Sequence, residues 1–257
     1  MRCSDGLNVT VWGAGEPAVL VHGSFGWGEE TWHAQRPLAD DYELRLVDRR
    51  GYGASPPAGR ADFDRDADDV AGLLDEPAHL LGHSYGGVVA LLAAARRPDT
   101  VRSLVVIEPP ALGLLSNDPL AESFVLELDG AAEEARNADD YRSRFLQGFG
   151  FPPPKQPLEG PALEAAATSW RERSPSEADI PLDALARAPF PKLVVRGAWD
   201  QAPPSAQERA GLLFARICDI LVRALEAESA AFSGAAHRPQ ELGDPFNELL
   251  RDFWSRA

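Results

Sequence analysis

The sequence predicts an α/β fold in which a mostly parallel, twisted sheet of about eight strands is flanked by helices. The first sign is an alternation of short apolar runs with helical patterns, such as the three-to-four spacing of apolar residues from Phe63 to Leu74. The second is a G-x-S-x-G pattern at 82–86, between an apolar run and a helix-compatible stretch. The third is a break in the alternation between about 111 and 189, which indicates an inserted helical cap.

Seven apolar runs are candidates for strands of this sheet. They fall at 9–12, 18–21, 44–47, 79–81, 104–107, 193–195 and 229–232. Helical patterns over 207–225 and 245–254 predict helices that pack on the sheet. Residues 1–110 and 190–257 are therefore predicted to form one core domain.

The cap is predicted over 111–189, where helical blocks replace the regular alternation. The blocks fall at 120–128, 131–149 and 162–173, and prolines at 152–154 and 157 separate them. A helical insertion beside a candidate active site would exclude water and shape the substrate pocket. Its aromatic side chains could line that pocket or pack in the cap itself; they are Phe145, Phe149, Phe151 and Trp170.

The pentapeptide G-H-S-Y-G at 82–86 has the form of a nucleophile elbow, a tight turn between a strand and a helix. Glycines two residues before and after the serine meet the need of this turn for neighbours without side chains. The turn holds the serine hydroxyl clear of the sheet, where the helix N-terminus favours developing negative charge. Ser84 is therefore the predicted nucleophile.

A serine hydroxyl needs a general base, and the base needs an orienting acid. In folds with this elbow the chain order is serine, acid, histidine, and His237 alone among the five histidines follows the elbow. Asp200 is the predicted acid because it lies in the turn after the candidate strand at 193–195, where active sites of open α/β sheets form. Glu108, at the end of the preceding strand, is the alternative acid, although a pocket-lining role also suits it.

A glycine-rich turn after the run at 18–21 is the second candidate element of the active site. Backbone amides from such a turn, together with the amide after the nucleophile, form an oxyanion hole in folds of this kind. This pattern nominates the main chains of Ser24 and Tyr85. Phe25 and Trp27 flank the proposed chemistry and are candidates for the substrate pocket.

Five motifs together resemble the α/β-hydrolase superfamily over nearly the whole chain. They are H-G at 22–23, D-R-R-G-Y-G-A-S at 48–55, G-H-S-Y-G-G at 82–87, G-A-W-D at 197–200 and G-A-A-H at 234–237. The resemblance implies a triad of Ser84, Asp200 and His237, with no metal or organic cofactor. Ala236 departs from the pattern because many relatives have glycine before the histidine.

This constellation predicts hydrolysis of a small-molecule carboxylic ester or lactone, or of a thioester or amide, through an acyl-enzyme on Ser84. Haloalkane dehalogenases and epoxide hydrolases of the same fold use an aspartate nucleophile, so the serine argues against both. Acyltransferases, perhydrolases, carbon–carbon bond hydrolases and hydroxynitrile lyases keep a serine triad and stay open as alternatives. A ligand-binding receptor on the same fold is the non-enzymatic alternative.

The net charge and the composition argue against nucleic acid and membranes as partners. The chain has 257 residues and a net charge of −15, and such an acidic surface repels both nucleic acid and anionic membranes. Two cysteines, Cys3 and Cys218, provide no disulfide framework, and no apolar signal segment or membrane-length run occurs. We therefore expect a cytoplasmic protein, monomeric or homodimeric, that acts on a small molecule. The aspartates at 62–69 are expected to face solvent on a helix rather than to bind metal.

Overall fold

A seven-stranded sheet forms the centre of the molecule in the computed structural model, which describes residues 6–257. The strands are β1 (Val9–Trp12), β2 (Glu16–Val21), β3 (Tyr42–Val47), β4 (Ala78–His83), β5 (Val101–Ile107), β6 (Lys192–Gly197) and β7 (Glu228–Phe232). Their order across the sheet is β1-β3-β2-β4-β5-β6-β7, and only β1 pairs antiparallel with its neighbour. The predicted α/β class is confirmed, and all seven candidate runs form strands. The described residues contain seven strands instead of about eight, and Cys3 lies outside them.

Ten α-helical segments accompany the sheet within the described residues. They are α1 (Gly28–Thr31), α2 (Phe63–Leu73), α3 (Tyr85–Arg96), α4 (Pro119–Glu134), α5 (Ala138–Gly148), α6 (Gly160–Ser169), α7 (Leu182–Arg187), α8 (Pro204–Ala206), α9 (Leu212–Leu225) and α10 (Asp244–Trp254). Short 3₁₀ segments occur at His33–Asp40, Leu112–Leu115, Pro175–Glu177 and Pro239–Leu242, and a π-helical turn at Gln207–Gly211 joins α8 to α9. No helix in the described part of the chain is long and apolar enough to cross a membrane.

Helices cover both faces of the sheet, as a parallel sheet requires. Strand β4 is buried along its whole length because it lies in the middle of the sheet. On one face, α2, α3 and α9 build the larger apolar core, with Val88 and Leu213 among its fully buried side chains. On the other face, α10 packs with Trp32 and Leu38 against the sheet in a second core.

The predicted helical insertion lies between β5 and β6, where α4 to α7 follow one another without an intervening strand. Helix α4 begins after Asp118, whose carboxylate accepts a hydrogen bond from the Leu120 amide at 2.9 Å. The sequence pattern predicts a single helical block over 131–149, but the helix breaks there and α5 begins after Asn137. The Asn137 side chain accepts a hydrogen bond from the Asp140 amide at 2.9 Å, a typical N-cap that starts a new helix.

The parallel strands end at one edge of the sheet, and the loops that follow them lie together there. These loops follow β2, β4, β5, β6 and β7, and they carry every residue proposed for chemistry in the sequence. The rings of Phe149 and His237 are 5.7 Å apart, so the insertion packs against the same edge. The helical insertion therefore covers part of the sheet edge that carries the candidate site residues.

Candidate active site

Ser84 occupies the turn between β4 and α3 with strained backbone angles, φ 53° and ψ −124°. A serine adopts a positive φ only when its surroundings hold it there, and such strain is concentrated at functional sites. The surroundings are tight: a Cβ atom on Gly82 would overlap the Gly86 carbonyl oxygen. The Ser84 amide donates to the Ile107 carbonyl at 2.8 Å, which ties the elbow to the neighbouring strand.

His237 lies between a hydroxyl and a carboxylate. Its Nε2 is 2.9 Å from Ser84 Oγ, and its Nδ1 is 2.7 Å from Glu108 Oε2. With the proton on Nδ1, the ring donates to the carboxylate and Nε2 accepts the hydrogen bond from the serine hydroxyl. The three side chains thus form one hydrogen-bonded series in the arrangement of a serine–histidine–acid triad.

The Glu108 carboxylate is fully buried and fixed from two directions. Its second oxygen, Oε1, accepts hydrogen bonds from the Gly197 amide at 2.9 Å and from Trp199 Nε1 at 2.8 Å. Glu108 follows β5 directly and has a positive φ of 40°, which turns its side chain toward the ends of the neighbouring strands. Two donors on one oxygen leave the other free to orient His237.

Asp200 does not orient the histidine, which corrects the leading expectation from the sequence. Its exposed carboxylate accepts hydrogen bonds from Ser233 Oγ at 2.5 Å and from the Gly234 amide at 2.9 Å. These bonds, the Ser233 hydroxyl first, lower the pKa of Asp200 below its usual value. The turn after β6 directs Trp199 inward to Glu108, so the next residue points to the surface. Asp200 instead braces the loop that leads to His237.

Buried rings hold the histidine loop from the other side. The His237 ring centre is 4.5 Å from that of Phe214, 5.7 Å from Phe149 and 6.2 Å from Trp199. His83 Nε2 donates to the His237 carbonyl oxygen at 2.9 Å. Burial keeps the pKa of His83 well below its usual value, so this ring stays neutral and acts as a fixed donor.

Two backbone amides next to Ser84 have no acceptor among the described residues. Within residues 6–257, neither the Ser24 amide nor the Tyr85 amide donates to a protein group. Gly23 brings the first of these loops close, because a Cβ atom there would lie 2.8 Å from the Ser84 Cβ. Free amides beside a nucleophile are the donors that an oxyanion hole requires. The structure thus brings both predicted amides to the serine.

The loop that carries Ser24 is anchored by buried polar groups. His22 Nδ1 donates to the Gly23 carbonyl at 2.7 Å, and His22 Nε2 accepts from the Arg49 amide at 3.0 Å. Burial, with the Arg49 charge, keeps the pKa of His22 well below its usual value. His22 therefore shapes the loop as a neutral ring, and it lies outside the hydrogen-bonded series of the candidate triad.

Glu172 links the helical insertion to this loop, and no motif or pattern in the sequence pointed to this residue. Its carboxylate accepts hydrogen bonds from Arg49 at 2.6 Å, from the Tyr52 hydroxyl at 2.6 Å and from the Ser24 hydroxyl. Arg49 is fully buried and also pairs with Asp66 at 2.8 Å. Because Glu172 follows α6, one carboxylate joins the helical insertion, the core and the candidate oxyanion loop.

Two cavities meet at Ser84. The larger, of about 490 Å³, is also lined by His237, Phe145 and Phe149. The smaller, of about 90 Å³, shares Ser24, Ser84 and the two phenylalanines with it, but His237 does not line it. Both are lined mainly by apolar surface, which suits organic substrates.

The two flanking aromatic residues nominated from the sequence have different positions. Phe25 lines the larger cavity, and its ring lies 4.8 Å from that of Phe145. Trp27 lines neither of the two cavities next to Ser84 and instead precedes α1, where its carbonyl accepts from the Thr31 amide at 3.0 Å. The expectation for Trp27 is therefore corrected, because the turn into α1 carries the chain away from the site. In residues 6–257, no group of three or more potential metal ligands is assembled.

Comparison with known proteins agrees with this geometry. A family model described as alpha/beta hydrolase family matches residues 18–249. The pimeloyl-[acyl-carrier protein] methyl ester esterase of Neisseria meningitidis serogroup B is 42% identical over 256 residues, with 91% of each chain covered. The enzyme of that name from Aeromonas hydrophila is 39% identical over 104 residues, so the match spans 39% of this chain and 41% of that protein. A thermophilic esterase from Thermogutta terrifontis shares the fold, with a TM-score of 0.69, 24% identity and coverage of 97% of this chain and 93% of that one.

The seven-stranded sheet, the strained turn at Ser84 and the hydrogen-bonded series to Glu108 agree with this family match. The family match covers most of the chain, and the chain belongs to the alpha/beta hydrolase family. Its named relatives from Neisseria and Aeromonas are esterases.

Proposed function

We propose that this chain hydrolyses carboxylic esters of small molecules through an acyl-enzyme on Ser84. The observation that carries the proposal is the hydrogen-bonded series from Ser84 Oγ through His237 to Glu108, beside two amides that have no acceptor in the described part of the chain. These are the nucleophile, base, acid and oxyanion donors that acyl transfer requires. The esterase names of the relatives support the same reaction class.

In the first half of the reaction, Ser84 Oγ attacks the carbonyl carbon while its proton passes to His237 Nε2. Glu108 stabilises the imidazolium through Nδ1, and the Ser24 and Tyr85 amides bind the oxyanion. The carbon–oxygen bond to the alcohol then breaks, and His237 gives its proton to the departing alkoxide. A water molecule attacks the acyl-enzyme with the same base, which releases the acid and restores the serine. Each oxyanion donor contributes about 10²–10³ in turnover.

We propose that residues 111–189 act as a cap over the site and govern substrate choice. Helix α5 supplies Phe145 and Leu146 to the larger cavity, and the segment after α6 supplies Glu172 to the loop that carries Ser24. A cytoplasmic location is proposed as well, since the buried Cys218 is a free thiol whose pKa is raised by burial.

A second candidate activity comes from the relatives' names, which specify the methyl ester of a pimeloyl group on a carrier protein. The identity of 42% to the Neisseria meningitidis enzyme favours it. This substrate combines a long acyl group with a very small alcohol. Rates measured for esters with different acyl and alcohol sizes can therefore test whether the enzyme prefers it.

Labelling with a fluorophosphonate probe tests the proposed nucleophile. We expect the wild-type chain to be labelled and to hydrolyse p-nitrophenyl acetate, and Ser84→Ala to lose both. Ser116→Ala is the matched control because its hydroxyl lies at the surface, where it donates to the Gly113 carbonyl at 3.0 Å. Labelling that persists in Ser84→Ala would refute the assignment. Absence of labelling in the folded wild-type chain would favour a binding protein.

A further inference from the structure

The two cavities at Ser84 differ in size and in the residues that line them. The cavity of about 90 Å³ has less than a fifth of the volume of the cavity of about 490 Å³. His237 and the residues before it, 234–236, line only the larger one. Tyr85, whose amide is a candidate oxyanion donor, lines only the smaller one. The two halves of an ester would therefore meet different walls.

The chemistry decides which half of an ester enters which cavity. The alcohol oxygen must lie next to His237 Nε2, because that atom supplies its proton as the bond breaks. The alcohol group therefore extends into the cavity that His237 lines. The acyl group leaves the same tetrahedral carbon in a different direction, past the oxyanion donors, and the smaller cavity lies on that path.

Resting on the proposed ester hydrolysis, we propose that the enzyme prefers a short acyl group joined to a large, mainly apolar alcohol. The large cavity suits such an alcohol because Phe145, Leu146, Phe149 and Phe151 line it. This preference is the reverse of the one that the relatives' names describe, in which the acyl group is long and the alcohol is methanol.

The walls of the small cavity are held in place, so it cannot widen freely. Tyr141 lies stacked between Trp170 and Phe25, with ring centres 6.3 Å and 5.7 Å away. Trp170 Nε1 donates to the Ala132 carbonyl at 2.7 Å, which fixes the indole against α4. Glu172 lines the polar end of the small cavity and is held there by hydrogen bonds from Arg49 and Tyr52 of the core. A close-packed wall of this kind resists an added methylene.

Two ester series test the preference in the wild-type enzyme. The first keeps p-nitrophenol as the alcohol and lengthens the acyl group from acetyl to decanoyl. The second keeps acetate and enlarges the alcohol from methanol to 2-phenylethanol, with acid release followed by titration. One misfitting methylene changes kcat/KM by about 10–200-fold, so we expect a drop of at least tenfold beyond butanoyl and a rise with alcohol size. Dimethyl pimelate should be hydrolysed at least tenfold less efficiently than 2-phenylethyl acetate.

Two matched variants test which half of the ester binds in each cavity. Leu128 lines only the small cavity and Leu146 only the large one, and both lie on cap helices outside the candidate triad. Leu128→Ala should raise the hexanoate-to-acetate ratio of kcat/KM by about tenfold. Leu146→Ala should leave that acyl ratio unchanged and alter the preference among acetate esters.

Several outcomes would overturn the preference. Rates that stay level or rise from acetyl to decanoyl would do so, as would an acyl ratio that responds to Leu146→Ala and not to Leu128→Ala. Efficient hydrolysis of dimethyl pimelate with poor hydrolysis of 2-phenylethyl acetate would assign the relatives' substrate pattern to this chain. Failure of ester hydrolysis itself is distinguishable, because no ester would react and the fluorophosphonate probe would not label Ser84.

Discussion

The acid that orients His237 is the residue whose replacement tests the site most sharply. In Glu108→Gln, the amide oxygen must stay at the Oε1 position because the Gly197 amide and Trp199 Nε1 both donate there. The amide nitrogen then faces His237 Nδ1, and two donors cannot share that contact. The ring must move its proton to Nε2, where it can no longer accept the proton of Ser84.

The expected magnitude follows from this tautomer change. Loss of a triad acid with retained geometry lowers kcat by about 10⁴, or roughly 5 kcal/mol of transition-state stabilisation. Glu108→Gln should therefore lose about 10³–10⁴ in kcat for p-nitrophenyl acetate. Asp200→Asn is the matched control, since its exposed side chain only braces Ser233 and Gly234, and we expect less than a tenfold loss.

The assay compares kcat and the rate of fluorophosphonate labelling in the two variants, with thermal unfolding as a check on the fold. A larger loss in Asp200→Asn than in Glu108→Gln would refute the assignment of Glu108. Equal losses with unchanged unfolding would mean that both carboxylates act on the histidine loop.

Two further predictions concern the buried charges around Arg49. Glu172→Gln removes the charge that faces the Arg49 guanidinium, so the free energy of unfolding should fall by about 1–3 kcal/mol in urea titrations, and an unchanged value would contradict the linking role of Glu172. Burial is the main cause that raises the pKa of Asp66 to about 6, from 3.8. The Asp66 carboxyl therefore binds a proton more tightly in the folded state than in the unfolded state. Its contribution to the free energy of unfolding should decrease as the pH rises from 4 to 6. Asp66→Asn should remove this part of the pH dependence of the free energy of unfolding. Parallel pH profiles of the wild type and the variant would contradict the raised pKa of Asp66.

Local patterns were sufficient to predict the sheet and the tight turn at Ser84. The central strands β4 and β5 lie on their predicted apolar runs because parallel central strands are buried on both faces and are apolar nearly throughout. The elbow could also be predicted, because its two glycines leave no room for a side chain. A Cβ atom on Gly82 would overlap the Gly86 carbonyl oxygen, and one on Gly86 would overlap the Val21 carbonyl oxygen at the end of β2. The motifs and the chain order also predicted His237, Ser24 and Tyr85, and the structure brings these residues close to Ser84.

The choice between the two acids needed the tertiary structure. Glu108 and Asp200 both follow the serine and precede the histidine, and each ends a neighbouring strand, so chain order fits both. The positive φ angles of Glu108 and Trp199 decide which carboxylate turns inward. The Trp199 indole then supplies Glu108 with a buried donor.

The sequence by itself determined the fold class and the elbow, and it nominated His237 as the candidate base, because those depend on periodic burial, on turns a few residues long and on chain order. Only the tertiary structure decided which carboxylate contacts His237, the link through Glu172 and the unequal cavities. Glu172 lies 148 residues from Ser24, and the small cavity is bounded by side chains from both the core and the helical insertion. Such sites depend on the relative directions of distant side chains, which no local pattern encodes.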